Sequence, residues 1–121
     1  MIRSIRRKLI CIFLLSLGCS FGFTQTRQAI DSLHKRLADA RDDTSRINAQ
    51  IALCLFHRLG NTDSSLMYGQ QALEAAEKIN YIRGQVSVLG FMCIVTEQRG
   101  NLPGALELGF KSLRLGEEHN L

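Results

Sequence analysis

Along most of the chain, apolar residues recur at helical rather than alternating spacing. Ile30, Leu33 and Leu37 fall at i, i+3 and i+7, one face of a helix that Thr26 is placed to cap. His34, Lys35, Arg36 and Asp39 lie off that face and read as solvated. The polar break Arg41-Asp42-Asp43-Thr44 carries capping residues and leads into a second helix, about Ser45 to His57. Its buried stripe reads Ile47, Ile51, Cys54 and Leu55. Gly60-Asn61-Thr62-Asp63 is a turn: Gly60 can take the left-handed conformation that ends a helix, and Asn61, Thr62 or Asp63 can cap the next. That third helix runs to about Ile79, with Leu66, Gly69, Leu73 and Ala76 on one face, and Asn80 closes it. A fourth, about Tyr81 to Arg99, is apolar on several sides (Val86, Val88, Leu89, Phe91, Met92, Ile94, Val95), a pattern that requires helices on both flanks. In the fifth, Pro103 occupies the first turn, where its missing N–H costs nothing, and Leu106, Gly109, Leu113 and Gly116 continue the stripe. The pattern predicts an all-α chain of about five helices.

These helices repeat. Gly60-Asn61, Leu66, Gly69, Leu73, Glu77 and Asn80 return as Gly100-Asn101, Leu106, Gly109, Leu113, Glu117 and Asn120, at one offset of about forty residues. A fixed period of that size marks an α-solenoid, with units over about 41–80 and 81–121 preceded by one helix. Gly69 and Gly109 each cost a helix interior about 1 kcal/mol against Ala. Their common place three residues after the repeated Leu predicts close approach of a paired helix.

The first 24 residues read differently. A basic cluster, Arg3 to Lys8, precedes the apolar run Leu9–Leu17, and small residues follow it: Gly18, Cys19, Ser20, Gly22 and Thr24. That order is the one found in a secretory signal peptide, and the run is shorter than the roughly twenty residues of a spanning helix. Cleavage after Gly22, cleavage after Thr24, lipidation at Cys19 and retention as an uncleaved anchor all fit. Residues 1–24 are therefore set apart from a helical repeat domain over 25–121. The expected location is exported: periplasmic, or membrane-associated facing the periplasm.

Composition changes this picture little. At 121 residues there is room for one small domain, and 45% hydrophobic residues exclude a disordered chain. The formal charge of +4 comes from Arg3, Arg6, Arg7 and Lys8; beyond them, eleven Lys and Arg face eleven Asp and Glu. No basic patch argues for nucleic acid, and none is expected as a partner.

The repeated signature has a familiar form. Gly-Asn before a helix, a small residue then Leu (Ser65-Leu66, Ala105-Leu106), and small then Leu again (Ala72-Leu73, Ser112-Leu113) resemble the second helix of the tetratricopeptide repeat (TPR). The resemblance covers about residues 26–121. The period exceeds the usual length of about 34. It is similar to the extended repeats in the extracytoplasmic sensor regions of bacterial membrane histidine kinases, as is Asp42-Asp43-Thr44-Ser45-Arg46 opening the first unit. The first-helix aromatic and Leu-Gly positions of the family are replaced by Ala49, Ala52 and Leu53, and by Leu89, Met92 and Cys93. The resemblance implies a solenoid of antiparallel helix pairs that binds a protein or peptide along its first helices. It places Gln50, Cys54, His57 and Arg58 of the first unit on that surface, with Gly90, Ile94, Glu97 and Gln98 of the second. Gln50, His57, Arg58, Glu97 and Gln98 are the polar candidates for a binding groove. The Lys and Asn set that clamps peptide carboxylates in chaperone-binding members is missing.

No catalytic motif is present: there is no H-E-x-x-H, C-x-x-C, P-loop, G-x-S-x-G or G-x-G-x-x-G. His34, His57 and His119 lack partners at metal-ligand spacing, and no metal, cofactor or enzymatic activity is expected. Cys54 and Cys93 read either as small core residues or, in an oxidising compartment, as a disulfide; their places in the two units differ by one residue. The expected function is a non-enzymatic, exported protein–protein interaction scaffold. The alternative is the N-terminal sensor arm or a fragment of a longer histidine kinase or transcriptional regulator. The fifth helix keeps apolar residues on more than one side, with Phe110, Leu108 or Leu115 expected to face away from the fourth. Self-association through that helix follows as an expectation.

Overall fold

The computed structural model describes the backbone of residues 2–121 and the side chains of residues 2–11 and 26–121. The described residues form five α-helices: α1 (Ile2–Ala38), α2 (Asp43–His57), α3 (Thr62–Lys78), α4 (Ile82–Gln98) and α5 (Leu102–Glu118). The chain divides into two compact units, Met1–Ser32 and Leu33–Leu121. In the first, Ile2, Ile5, Leu9 and Ile10 are exposed along α1. The expected cleavage sites and Cys19 lie outside the residues whose side chains are described. Thr26 does not cap a helix start, because α1 runs through it from Ile2. Among the described residues no helix is long and apolar enough to cross a membrane.

In the second unit α2 packs on α3, α3 on α4 and α4 on α5, and α2 also touches α4. Local sequence chemistry accounts for the helix boundaries. Asp42 caps α2: its carboxylate accepts from Ser45 N–H at 2.8 Å and from Ser45 Oγ at 2.6 Å. Asn61 and Asn101 cap α3 and α5 forty residues apart, each side-chain oxygen accepting from the amide three residues on (Ser64 at 3.0 Å, Gly104 at 3.1 Å). The helix ends match as well. Asn80 and Asn120 have φ of 53° and 54°, and Gly100 has 80°. In each case the following amide reaches back to the carbonyl five residues earlier, Tyr81 to Ala76, Asn101 to Thr96 and Leu121 to Gly116. That is the Schellman closure, which needs a left-handed residue and takes Gly or Asn there. Gly60, expected to play this part, is not left-handed. At the end of α2 the amides of Gly60 and Asn61 both reach the His57 carbonyl, so the turn closes without an inverted residue.

The core is built from Ile47 of α2, Ala72, Leu73 and Ala76 of α3, and Val88, Leu89 and Met92 of α4. Leu53, Cys54 and Val95 are fully buried too. Each wholly buried Leu, Ile or Val contributes roughly 1.5–3 kcal/mol over its exposed state. Two stripes differ from expectation. On α2, Ala49 and Leu53 are buried, whereas Leu55 is exposed and Ile51 half-buried. The second helix face is needed because α2 meets both α3 and α4. On α5, Leu106 and Leu113 are exposed, and the packed residues are Ala105, Leu108, Leu115 and Gly116. The helix is turned so that Leu108 and Leu115 reach the core; of the three residues expected to face away, only Phe110 does so.

Gly69 does serve a close approach. A Cβ there would lie 2.8 Å from Met92 Cγ and 3.2 Å from Cys54 Sγ, so α3 is held between α2 and α4. At Gly109 a Cβ would meet only Cys93 Sγ, at 3.3 Å. Cys54 and Cys93 are free thiols, not a disulfide.

Candidate binding surface

The first-helix positions favoured by sequence are dispersed. Gln50, His57 and Arg58 are half-buried on and just after α2, while Glu97 and Gln98 are exposed at the end of α4. Cys54, expected on the same surface, is sealed: Ser65 Oγ donates to its carbonyl at 2.6 Å, and its thiol lies 3.5 Å from that oxygen. Burial raises the Cys54 thiol's pKa, with the Ser65 contact opposing, so it stays protonated and unreactive near neutral pH.

Gln50 and Arg58 keep unused hydrogen-bonding capacity. Gln50 Nε2 donates weakly to Gln71 Oε1 at 3.4 Å, while its own Oε1 has no partner, and neither has Arg58 Nε. Polar atoms shielded from water are usually paired, and these two are exceptions. His57 is engaged. Its ring stacks on Tyr68 of α3, 5.7 Å between centroids and 10° between planes, with Phe56 edge-on at 5.7 Å. His34, near the end of α1, meets Tyr68 edge-on at 6.1 Å. Burial lowers the His57 pKa and the nearby His34 charge lowers it further. The cluster joins α2 to α3, with His34 at its edge, and leaves His57 neutral near pH 7.

None of the five polar candidates lines any of the three clefts described among these residues. Between α2 and α4 lies a cleft of about 460 Å³, formed by Asn48 and Ile51 on one side and Tyr81, Arg83, Ser87 and Phe91 on the other. Tyr81 Oη donates to Asn48 Oδ1 across it at 3.3 Å. This cleft lies on α2 and α4 but is displaced from the expected residues. The displacement has a local cause. Tyr81 sits at the N-cap of α4 without a capping side-chain bond, and its ring lies against Gly84, whose missing Cβ makes room for it. The Tyr81-x-x-Gly84 spacing, one helical turn, is the sequence signal for this cleft.

A larger cleft, about 890 Å³, runs between α3 and α5. Asp63, Leu66 and Gln70 of α3 face Glu107 and Leu108 of α5, with Met92 and Thr96 of α4 between them. Arg99 closes one end by donating to Asp63 at 2.8 Å. Elsewhere Lys111 of α5 pairs with Glu77 of α3 at 3.1 Å. Both pairs are solvent-exposed, and such pairs contribute at most about 1 kcal/mol. Among the described residues no group of three or more His, Cys, Asp or Glu side chains converges to hold a metal ion.

No family model, no curated protein and no solved structure matches the chain.

Proposed function

We infer that the chain is a non-enzymatic protein–protein interaction scaffold built from TPR-like helical repeats. The observation that carries this reading is the recurrence of a whole unit at one offset. α3 and α5 are both 17 residues long, start forty residues apart, share Asn caps, and end on left-handed Asn80 and Asn120. α2 touches α4 as well as its own partner α3, the contact a stacked helix-pair array makes between successive units. A repeat of this kind spreads a surface along its length and offers it to a protein or peptide. The first-helix surface, with Gln50 and Arg58 at one end and the Asn48–Arg83–Phe91 cleft beside it, is the binding face in this reading.

The test is peptide selection on the full chain, followed by mapping of amide chemical shifts. Selected peptides should perturb Asn48, Gln50, Arg58, Arg83 and Phe91. Perturbations confined to α3 and α5 would move the binding face to the second helices. The location belonging to this reading is outside the inner membrane, by the order of charged, apolar and small residues in 1–24. Mass spectrometry of protein from its native host should find those residues removed or a diacylglycerol on Cys19; an intact Met1 on a membrane-bound product would establish an anchor instead.

A further inference from the structure

The two second helices differ in what covers one face. Along α3, Leu66, Gly69, Leu73 and Ala76 are packed into the core with α4, and Leu73 is only 6% exposed. Met92 of α4 enters the notch that Gly69 leaves. Forty residues on, the same stripe reads Leu106, Gly109, Leu113 and Gly116. Here Leu106 and Leu113 are 51% and 57% exposed, and Phe110 beside them is 64% exposed. No atom stands at Gly109 where Met92 stands at Gly69; its one neighbour within 4 Å is Cys93, from α4. A cleft of about 370 Å³ opens there, lined by Val86, Gly90, Cys93, Gly109, Leu113 and Gly116 among others.

We propose that this α5 face docks one amphipathic helix of a protein partner, patterned like α4, with a long unbranched apolar side chain entering the notch at Gly109. This names the partner's chemistry and rests on the interaction-scaffold reading. The occupant is read from the molecule's own repeat. The α3–α4 contact shows which helix fits this stripe: apolar residues spaced as Val88, Leu89, Met92 and Val95, at i, i+1, i+4 and i+7. Such anchors are the usual means by which a helix fills an apolar groove. Methionine suits the notch because its flexible thioether fills irregular space. A second copy of this chain has no such helix to offer, since its own Val88, Leu89 and Val95 are wholly buried.

The probe is a fluorescent, side-chain-stapled peptide with the sequence of residues 82–98, titrated against the full chain. Saturable binding is expected, weakened at least about tenfold by Leu113→Asp or Leu106→Asp in the protein and by Met92→Ala in the peptide. Leu59→Asp, at an exposed residue far along the chain, should leave it unchanged. Circular dichroism keeps the two α5 variants interpretable, and either one that folds suffices. Absence of saturation, or binding indifferent to both Asp variants, overturns the proposal. So does a dimer in light scattering that Leu113→Asp dissociates, because the face would then belong to a second copy. Peptides mapped to the α2–α4 surface would leave the scaffold reading standing while this proposal fails.

Discussion

Gly69 and Gly109 occupy the same place in the repeat and differ in what surrounds them. A methyl on Gly69 would press on Met92 Cγ at 2.8 Å with Cys54 Sγ at 3.2 Å, so neither helix can yield without moving the other. Overpacking of that kind typically costs about 1–3 kcal/mol, against about 1 kcal/mol regained in helix propensity. On Gly109 the methyl would meet one sulfur at 3.3 Å on a half-buried side chain that has open space beside it. Gly69→Ala should therefore lower the urea midpoint, and Gly109→Ala should leave it level or raise it. Equal midpoints would show that the repeat, rather than the local packing, governs both sites. The sequence showed that both glycines share a face but could not show that only one is enclosed, because enclosure depends on which helix lies opposite. Asn80 was legible for a related reason. Its place after the last periodic residue is the one where a left-handed residue closes a helix, and φ of 53° fits. Gly60 met the same criterion and closes its turn differently.

Between helices, the stack of His57 on Tyr68 involves a titratable group whose pKa is shifted. Tyr68 comes from α3, His34 from α1, and Phe56 neighbours His57 on α2. His57 has a folded-state pKa below its ordinary value of 6.5, through burial first and the His34 charge second. The unfolded chain therefore binds this proton more readily than the folded one. Stability from this group is fully present above about pH 6.5 and falls as pH drops below that value toward the depressed folded pKa. The fall should appear as a lower urea midpoint at pH 5.5 than at pH 7.5, and it should shrink in His57→Phe, which keeps a ring for Tyr68. A pH dependence unchanged in that variant would assign the effect to other groups. Asp42 is separate: hydrogen bonds from Ser45 lower its pKa below 3.8, so its contribution disappears only at more acidic pH. The order and limits of α2 to α5 could be read from caps and periodicity to within about two residues. The aromatic cluster could not, since His34, His57 and Tyr68 are joined by packing and not by spacing.

Taken over the second unit as a whole, the helices form a continuous core that closes well around α3 and α4 and only half-covers α5. The sequence marks α5 as apolar on two faces and does not say which one the fold uses. The choice follows from Ala105 and Gly116, small enough for α5 to lie close to α4, with Leu108 and Leu115 reaching past them. The candidate binding residues were chosen by their place in the repeat alone, and the three clefts are lined by others. Gln50, His57 and Arg58 were assigned to one groove by analogy of position, whereas the cleft depends on how Tyr81 folds back over Gly84. The two faces of α5 make opposite predictions. Leu108→Lys or Leu115→Lys puts a charge against the core and should cost several kcal/mol, enough to unfold a small domain. The triple change Leu106→Lys, Phe110→Glu, Leu113→Lys alters only exposed positions and should shift the urea midpoint by no more than about 0.5 kcal/mol equivalent per site. The same triple variant should be more soluble than the parent, because it removes the largest apolar run on that helix. If it unfolds while Leu108→Lys is tolerated, then α5 packs through the stripe that the repeat alone suggests, and Leu106 and Leu113 belong to the core.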